Sequence, residues 1–452
     1  MKVFGSSGVR GIANEKLTPG FVLQVAQAAG SAWDTDRAAI GRDTRATGQM
    51  LADAAASGLA SAGVDVDRVG VVPTPGLQAY AEREGIPALM VTASHNPPQH
   101  NGVKLVGSDG VELSRHELER VEDRLLDEDF ERVPWDETGV TSHVDGVRAD
   151  YVAEVLAAVD REAIAAADLT VALDTGHGAG SLTSPEFFRR LGCSVLTVNA
   201  QPDGHFPGRN PEPVAANLED LGRLVATTDA DLGVAHDGDA DRAIFFDERG
   251  EFVEGDAALA ALAARELAAG DAVVSAVNAS QRLVDVADAA GATLSMTPIG
   301  STNIITRIRS LGDEGANVPI AGEGNGGILF PDYRIARDGA YTAARFLELL
   351  ADGPTPASEV VAPFDDYANV RENVHYDDEA DRAAMLDAIE DAAREADADL
   401  DTTDGYRLDY GDAWVLARPS GTEPVIRIYA EAGSVERAQE LASWLQDATE
   451  AV

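Results

Sequence analysis

Short hydrophobic runs alternate with polar or glycine-rich loops and helical stretches along most of the chain. Strands that alternate with helices in this way predict βαβ units and mainly parallel sheets. The pattern recurs in three blocks, and each block has a first strand and, further on, a second strand that ends in a distinctive loop. The first strands are predicted over residues 38–43, 169–174 and 272–278, and the three loops over residues 92–97, 236–242 and 322–327.

The C-terminal part of the chain has a different pattern. Two apolar runs, 413–417 and 425–430, predict strands on either side of a turn. A helix is expected to follow with Ser434 as its N-cap, and its apolar face contains Val435, Ala438, Leu441, Ala442 and Leu445. This combination of strands and one helix predicts an α+β module.

The predicted fold class is therefore α/β, with three related mixed α/β domains followed by a C-terminal α+β domain. A chain of 452 residues has room for several domains of about 100–200 residues each. We place the domains at residues 1–146, 147–249, 250–360 and 361–452.

The chain is strongly acidic, with 78 Asp and Glu residues against 35 Lys and Arg residues and a net charge of −43. The acidic residues are spread along the chain, which resembles the composition of halophilic proteins. Such a negative field disfavours nucleic acid and anionic membranes as partners and leaves small molecules. No apolar stretch reaches the ~20 residues of a membrane span, and the N-terminus has no apolar leader core. We therefore expect a cytoplasmic protein that is a monomer or a homodimer.

A serine stands on the first distinctive loop, residues 92–97, which we call the serine loop. Ser94 directly follows the apolar run 88–91. A hydroxyl presented after a strand serves as a nucleophile or a phosphoryl carrier when a partner activates it. The sequence therefore makes Ser94 a candidate catalytic residue.

The second distinctive loop, residues 236–242, which we call the aspartate loop, carries three acidic residues. Asp237, Asp239 and Asp241 alternate along the chain, so in an extended segment their carboxylates point the same way. A hard divalent cation such as Mg²⁺ gathers carboxylates of this kind. A calcium-binding EF-hand is rejected, because Arg242 stands where that loop needs glycine. A solvated acidic turn is the alternative to a metal site.

Two further loops offer groups suited to a sugar phosphate. The glycine loop, residues 322–327, brings Glu323 and Asn325, which can hydrogen-bond sugar hydroxyls, although a flexible turn is the alternative. The arginine loop, residues 418–424, joins two predicted strands and offers hydroxyls, backbone N–H groups and a guanidinium for a phosphate. An ordinary hairpin turn is the alternative there. The candidate phosphate-binding residues of the arginine loop and the strand after it are Arg418, Ser420, Gly421, Thr422 and Arg427.

Lysine is rare in this chain, which makes Lys104 informative. The sequence holds only Lys2, Lys16 and Lys104, and the last of these is close in sequence to Ser94. Lysine serves as a phosphate partner or, when desolvated, as a proton shuttle. Arg10 is a second candidate cation. His95 is a candidate base, with a local hydrogen-bonding role as the alternative.

Taken together and in this order, the four loops resemble those of the α-D-phosphohexomutase superfamily. The serine loop resembles its phosphoserine loop, the aspartate loop its magnesium loop, the glycine loop its sugar-binding loop and the arginine loop its phosphate-binding loop. The segment 297–301, with Gly300, resembles a second sugar-facing loop. The glycine loop departs from the common pattern, because Asn325 and Gly327 replace a serine and a histidine. In this it looks like archaeal members grouped with phosphoglucosamine mutases.

The resemblance implies an intramolecular phosphotransferase that interconverts hexose 1-phosphates and hexose 6-phosphates. Phosphorylated Ser94 would give its phosphoryl group to the sugar, form a bound hexose 1,6-bisphosphate and recover the other phosphate. Mg²⁺ held by Ser94 and the three aspartates would neutralise charge. Arg10 and Lys104 would flank the reacting group, with Lys104 as the candidate general acid/base. Arg242, Gly300 and the glycine and arginine loops would bind substrate. Phosphoglucosamine mutase is the expected activity. The alternatives are a phosphomannomutase or phosphoglucomutase, a metal-dependent phosphatase and a non-catalytic sugar-phosphate-binding protein.

Overall fold

The described part of the chain forms four β-sheets that follow one another along the sequence. The computed structural model describes residues 3–5, 8–353, 355–420 and 424–450. Three sheets mix parallel and antiparallel pairs and are flanked by helices, and the fourth is antiparallel. The predicted fold class is therefore confirmed. None of the described helices combines the length and apolar character that crossing a membrane requires.

The first sheet carries the serine loop. Its elements are β1 (Val9–Ile12), α1 (Pro19–Ala32), β2 (Arg37–Arg42), α2 (Gly48–Ser61), β3 (Asp65–Val71), α3 (Thr74–Glu84), β4 (Ala88–Val91), β5 (His100–Val106), α4 (Arg115–Leu126) and β6 (Thr141–His143). The strand order is β1-β5-β4-β2-β3-β6, with β4, β2 and β3 parallel. The serine loop leaves the C-terminal end of β4, the edge of a parallel sheet where ligand sites form.

The second sheet carries the aspartate loop between β9 and β10. Its elements are α5 (Val147–Ala157), α6 (Arg161–Ala166), β7 (Thr170–Asp174), α7 (Ser184–Leu191), β8 (Ser194–Val198), α8 (Glu219–Ala226), β9 (Leu232–Ala235), β10 (Ile244–Phe246) and β11 (Phe252–Val253), with short 3₁₀ turns at Ala179–Leu182 and Ala215–Asn217. The strand order is β11-β10-β9-β7-β8. Because β11 pairs with β10 across a hairpin at Gly250, this sheet continues past the predicted domain limit at residue 249.

The third sheet carries the glycine loop between β14 and β15. Its elements are α9 (Gly255–Glu266), β12 (Ala272–Ala276), α10 (Gln281–Ala290), β13 (Thr293–Thr297), α11 (Ser301–Asp313), β14 (Ile320–Glu323), β15 (Gly327–Phe330), β16 (Arg334–Arg337), α12 (Gly339–Ala351) and α13 (Ala357–Val361), followed by a 3₁₀ turn at Ala362–Phe364. The strand order is β13-β12-β14-β15-β16. Gly300 directly precedes α11.

The fourth sheet confirms the predicted C-terminal strands and helix. Its elements are β17 (Ala368–His375), α14 (Glu379–Glu395), β18 (Asp399–Asp401), β19 (Tyr406–Asp409), β20 (Ala413–Pro419), β21 (Val425–Ala432) and α15 (Val435–Glu450), in the strand order β17-β21-β20-β19-β18. Ser434 caps α15 by accepting from the Arg437 N–H at 3.2 Å. The predicted apolar face is buried except for Val435, which is 61% exposed. Its inclusion was wrong, because Val435 lies in the first turn and points to solvent.

The second and third sheets share one hydrophobic core, whereas the first and fourth sheets each have their own. Phe245 on β10 and Phe346 on α12 stack in the shared core with ring centroids 4.4 Å apart. Both rings are at most 1% exposed. Buried hydrophobic contacts therefore join these two domains directly.

We expect Phe346→Ala to lower the free energy of unfolding by about 3–5 kcal/mol, because it leaves a cavity in this shared core. Denaturant unfolding would measure the change. Val435→Ala, at an exposed apolar position, is the control and should shift stability by no more than about 0.5 kcal/mol. A Phe346 variant as stable as the control would contradict a shared core.

Candidate active site

Ser94 lies at the centre of the candidate site and touches the aspartate loop directly. Its side chain is buried, and its hydroxyl donates a 2.5 Å hydrogen bond to Asp237 Oδ2. Ser94 has a left-handed backbone, with φ 51°. A non-glycine residue held there stores strain, which is typical of functional sites. The two loops that the sequence singled out are therefore brought together at one hydroxyl.

A buried arginine holds the serine loop in this shape. The Arg45 guanidinium donates to the carbonyls of Ser94, Asn96, Pro97 and His100 at 2.6–3.0 Å. Arg45 Nε also pairs with a carboxylate of the first βα loop, Asp43, at 3.0 Å. The same carboxylate accepts from the Thr92 hydroxyl, which in turn accepts from the Ser94 N–H. The sequence analysis did not identify Asp43 and Arg45, although charged residues directly after a buried strand were a usable indication.

The three aspartates of the aspartate loop, which we call the aspartate triad, fit a divalent cation. Asp237, Asp239 and Asp241 are each at most 1% exposed, and ligand atoms of all three lie within 4.8 Å of one another. On each of them Oδ1 is buried and has no hydrogen-bond partner among the described residues. A close group of three carboxylates, each with a buried and unpartnered Oδ1 atom, matches the oxygen ligands that Mg²⁺ prefers. A solvated acidic turn is excluded by their burial.

The other oxygen of each triad member is held by the protein. Asp239 Oδ2 accepts from the Thr74 hydroxyl at 2.6 Å and from Lys104 Nζ at 3.2 Å. Asp241 Oδ2 accepts from Lys104 Nζ at 2.9 Å and from Arg337 Nη2 at 2.6 Å. Each carboxylate therefore offers one oxygen to a cation and uses the other to fix its own orientation. Thr74 and Arg337 were missed by the sequence analysis.

The charges in this cluster shift one another's protonation. Burial, followed by the charges of Asp239 and Asp241, raises the pKa of Asp237 above its usual range. Burial also opposes ionisation of Asp239, but the Lys104 charge and the Thr74 hydroxyl hold its pKa below the usual range. For Lys104, the carboxylates outweigh the effect of burial and raise its pKa. Lys104 is therefore placed as a positive counter-charge to the aspartate triad.

A histidine and two arginines also lie near Ser94. His95 Nδ1 lies 3.3 Å from Ser94 Oγ, and the positive charge of Arg242, then burial and Arg10, lower the pKa of its imidazole. Arg10 donates to Asn96 Oδ1 at 2.9 Å. The Nε atoms of Arg10 and Arg242 are buried without a hydrogen-bond partner among the described residues. Two such guanidinium donors beside a hydroxyl suit a phosphoryl group.

The aspartate loop is itself held by a buried arginine. Arg209 donates to the carbonyl of His236 at 2.6 Å and pairs with Asp174, at the end of β7, at 3.0 Å. Gly238 lies so close to the serine loop that an added Cβ would meet the Ser94 carbonyl oxygen at 2.6 Å. Glycine at this position therefore allows the two loops to touch.

The glycine loop lies next to Arg337, and Arg337 in turn contacts Asp241 of the aspartate triad. Glu323 is 8% exposed and accepts from Asn325 Nδ2 at 3.3 Å. Asn325 Oδ1 accepts from the Gly327 N–H at 2.9 Å, so its amide closes the loop on itself. Gly300 caps α11 next to Ser301, whose hydroxyl contacts Glu112 at 3.3 Å.

The arginine loop belongs to the fourth domain and contacts the third. Arg418 pairs with Asp404 at 3.1 Å, and Asp404 also accepts from the Ile299 N–H at 3.0 Å. This carboxylate links the arginine loop to the segment that contains Gly300. Ser420 directly follows β20, and Arg427 lies on β21. The candidates Gly421 and Thr422 fall outside the described residues.

Four family models match successive parts of the chain, and they describe domains I to III and the C-terminal domain of phosphoglucomutase/phosphomannomutase. The matched residues are 1–132, 149–250, 254–367 and 372–447. The chain belongs to the phosphoglucomutase/phosphomannomutase family. The predicted superfamily is confirmed, and so is the predicted class of enzyme, a phosphohexomutase. The predicted domain limits and residue roles stay predictions.

Curated relatives and a solved structure of this family match almost the whole chain. A "Phosphoglucomutase/phosphomannomutase" of Thermococcus kodakarensis is 42% identical, with 97% of this chain and 96% of the relative covered. A "Probable phosphoglucosamine mutase" of Methanopyrus kandleri is 41% identical with the same coverage. The crystal structure of a family protein from Burkholderia thailandensis has a TM-score of 0.86 at 28% identity, covering 99% and 97% of the two chains.

We expect Arg45→Met to destabilise the protein by about 3–5 kcal/mol, because it leaves the buried Asp43 carboxylate without its ion-pair partner. Thermal unfolding would measure the loss. The control is Arg394→Met, which removes an exposed pair with Glu390 and should cost no more than about 1 kcal/mol. Equal melting temperatures for the two variants would contradict the role of Arg45.

Proposed function

We propose that this protein interconverts hexose 1-phosphates and hexose 6-phosphates through a phosphorylated Ser94, with glucosamine phosphate as its preferred substrate. The observation that carries the proposal is the contact between the Ser94 hydroxyl and the aspartate triad, 2.5 Å from Asp237 Oδ2. Phosphoryl transfer depends mainly on positioning and on neutralising charge. A strained, buried serine between a cation site and two free guanidinium donors supports both requirements.

The proposed reaction consists of two phosphoryl transfers, one from Ser94 to the sugar and one from the sugar back to Ser94. In the first half, a hydroxyl oxygen of the hexose monophosphate bonds to phosphorus, and the bond from phosphorus to Ser94 Oγ breaks. The proton of that hydroxyl ends on Oγ, and His95 Nδ1, 3.3 Å away, is placed to hydrogen-bond Oγ. The resulting hexose 1,6-bisphosphate reorients within the site. Its other phosphate then returns to Ser94 by the same step in reverse.

The aspartate triad, with its three unpartnered Oδ1 atoms, and phosphorylated Ser94 are the residues that would hold Mg²⁺. When bound, it would neutralise negative charge on the phosphoryl group. Arg10 and Arg242 supply hydrogen-bond donors to the same group. Lys104 orients the triad and adds positive charge from behind it.

We assign the remaining substrate contacts to the other loops. Arg418, Ser420, Gly421, Thr422 and Arg427 would bind the phosphate that does not react. Because such a clamp reads only phosphate, it serves both orientations of the bisphosphate. Glu323, Asn325 and Gly300 would face the sugar, with Glu323 as the main acceptor, since the Asn325 amide is engaged within the loop.

The preference for glucosamine phosphate rests on relatives. Several curated proteins that match more than nine-tenths of this chain are named "Probable phosphoglucosamine mutase". The Thermococcus kodakarensis relative supports glucose or mannose phosphate as the alternative. We further propose that the protein acts in the cytoplasm as a monomer or a homodimer, and that small hexose phosphates, not nucleic acids or membranes, are its partners.

We expect Ser94→Ala to lower turnover by a factor of about 10³ or more, because it removes the group that carries the phosphoryl. The same variant should not take up phosphate from a hexose 1,6-bisphosphate, as judged by intact mass, whereas the unaltered protein should take up one. Ser57→Ala, on the exposed face of α2, is the control and should behave like the unaltered protein. Retained turnover in the Ser94 variant would contradict the proposed mechanism.

Initial rates with the 6-phosphates of glucosamine, glucose and mannose, measured in parallel with Mg²⁺ and the matching bisphosphate, would test the preference. We expect the highest kcat/KM with glucosamine 6-phosphate. A higher value for mannose or glucose would establish the alternative substrate. Inorganic phosphate as the main product would indicate a phosphatase, and binding without turnover a sugar-phosphate-binding protein.

A further inference from the structure

One charged side chain of the third domain enters the aspartate loop, although no loop of the sequence analysis contains it. Arg337 is the last residue of β16 and is 6% exposed. Its Nη2 atom lies 2.6 Å from Asp241 Oδ2 and 3.8 Å from Glu112 Oε1. Lys104 contacts the same two carboxylates, at 2.9 Å and 3.6 Å. Arg337 thus completes a closed ring of alternating charges with residues of the first and second domains.

The glycine loop makes room for this arginine. A Cβ added at Gly327 would lie 2.8 Å from Arg337 Cδ and 3.0 Å from Asn325 Oδ1. The first distance is shorter than real Cβ contacts allow. Any side chain at position 327 must therefore push against the stem of Arg337. Glycine at this position and arginine at 337 are sterically matched.

The position of Arg337 affects a cation in two ways. It holds Asp241 Oδ2, so that Oδ1 is the oxygen left for a metal. Its positive charge also lies beside the cation site, 2.6 Å from Asp241 Oδ2, and repels a divalent ion at short range in a buried environment. A site with three buried carboxylates would otherwise hold a cation very tightly.

We propose that Arg337, seated by Gly327, is a positioning residue that sets how Asp241 presents itself to the cation and limits how tightly the cation binds. The proposal rests on the proposed function only in taking the aspartate triad as the cation site. Arg337 thereby couples the glycine loop to the aspartate triad. A shift of Gly327 would move Arg337, and a shift of Arg337 would move the Asp241 carboxylate.

Mn²⁺ titration of the full chain without sugar phosphate, followed by calorimetry or electron paramagnetic resonance, tests this directly. We expect Arg337→Gln to bind Mn²⁺ about tenfold more tightly, because a positive charge beside the site is lost. Arg337→Lys keeps the charge and should stay near the affinity of the unaltered protein. The matched control is Arg334→Gln, since Arg334 lies on the same strand, is equally buried and pairs with Glu82 and Glu154.

Gly327→Ala provides the second variant. It should displace Arg337 and shift Mn²⁺ affinity in the same direction as Arg337→Gln. In a protein that already carries Arg337→Gln, the added Gly327→Ala should change the affinity by less than about twofold, because the contact it disturbs is gone. Fully additive shifts would show that the two residues act separately and would overturn the seating.

The outcomes separate this inference from the proposed function. Unchanged or weaker Mn²⁺ binding in a folded Arg337→Gln protein overturns the inference, whatever the mutase activity. No Mn²⁺ binding in the unaltered protein overturns it as well. Tighter binding in a protein that turns over none of the hexose phosphates supports the inference and rejects the proposed function. A melting curve for each variant identifies any that fails to fold. If Arg337→Gln fails, the Mn²⁺ affinities of Arg337→Lys and Gly327→Ala are compared in its place.

Discussion

The burial of three like charges in one loop is the constraint on which the rest of this structure depends. An isolated buried carboxylate is costly, and leaving one without a partner costs several kcal/mol. The triad lies on the second domain, and its partners come from the other two α/β domains: Thr74, Ser94 and Lys104 from the first, and Arg337 from the third. Separating these domains would strand buried charges. The interaction that prepares a cation site therefore also holds the domains in place.

The first two domains each hold their distinctive loop with a buried pair of an aspartate and an arginine. At the end of a first strand, Asp43 or Asp174 pairs with a buried arginine, and that arginine donates to carbonyls of the loop after the second strand. The third domain uses a smaller group, since the Ser275 hydroxyl donates to the Gly322 carbonyl. The similarity between the blocks is thus physical, a way of holding a loop. It is hidden in the sequence, because Arg45 is near Asp43 whereas Arg209 is far from Asp174.

The site is locally positive on one side within a strongly acidic protein. The chain has a net charge of −43, yet Arg242 and Arg10 dominate the surroundings of His95 and keep its pKa low. Lys104, one of three lysines, is buried against carboxylates and not exposed on the surface. Several cations of this chain thus lie where an anionic substrate would bind, which gives a local field opposite to that of the whole molecule.

Local patterns of apolar and polar residues were enough to predict the alternation of strands and helices, the serine loop and the aspartate loop. The sequence also indicated the family, whose motifs are short and contiguous. Only the tertiary structure revealed Arg45, Arg209, Thr74 and Arg337, since each acts on a loop that is distant in sequence or belongs to another element. It likewise showed Val435 in solvent and the Asn325 amide engaged within its own loop. Side-chain partners across domains depend on how the sheets pack, and the periodicity of a single segment carries no information about that.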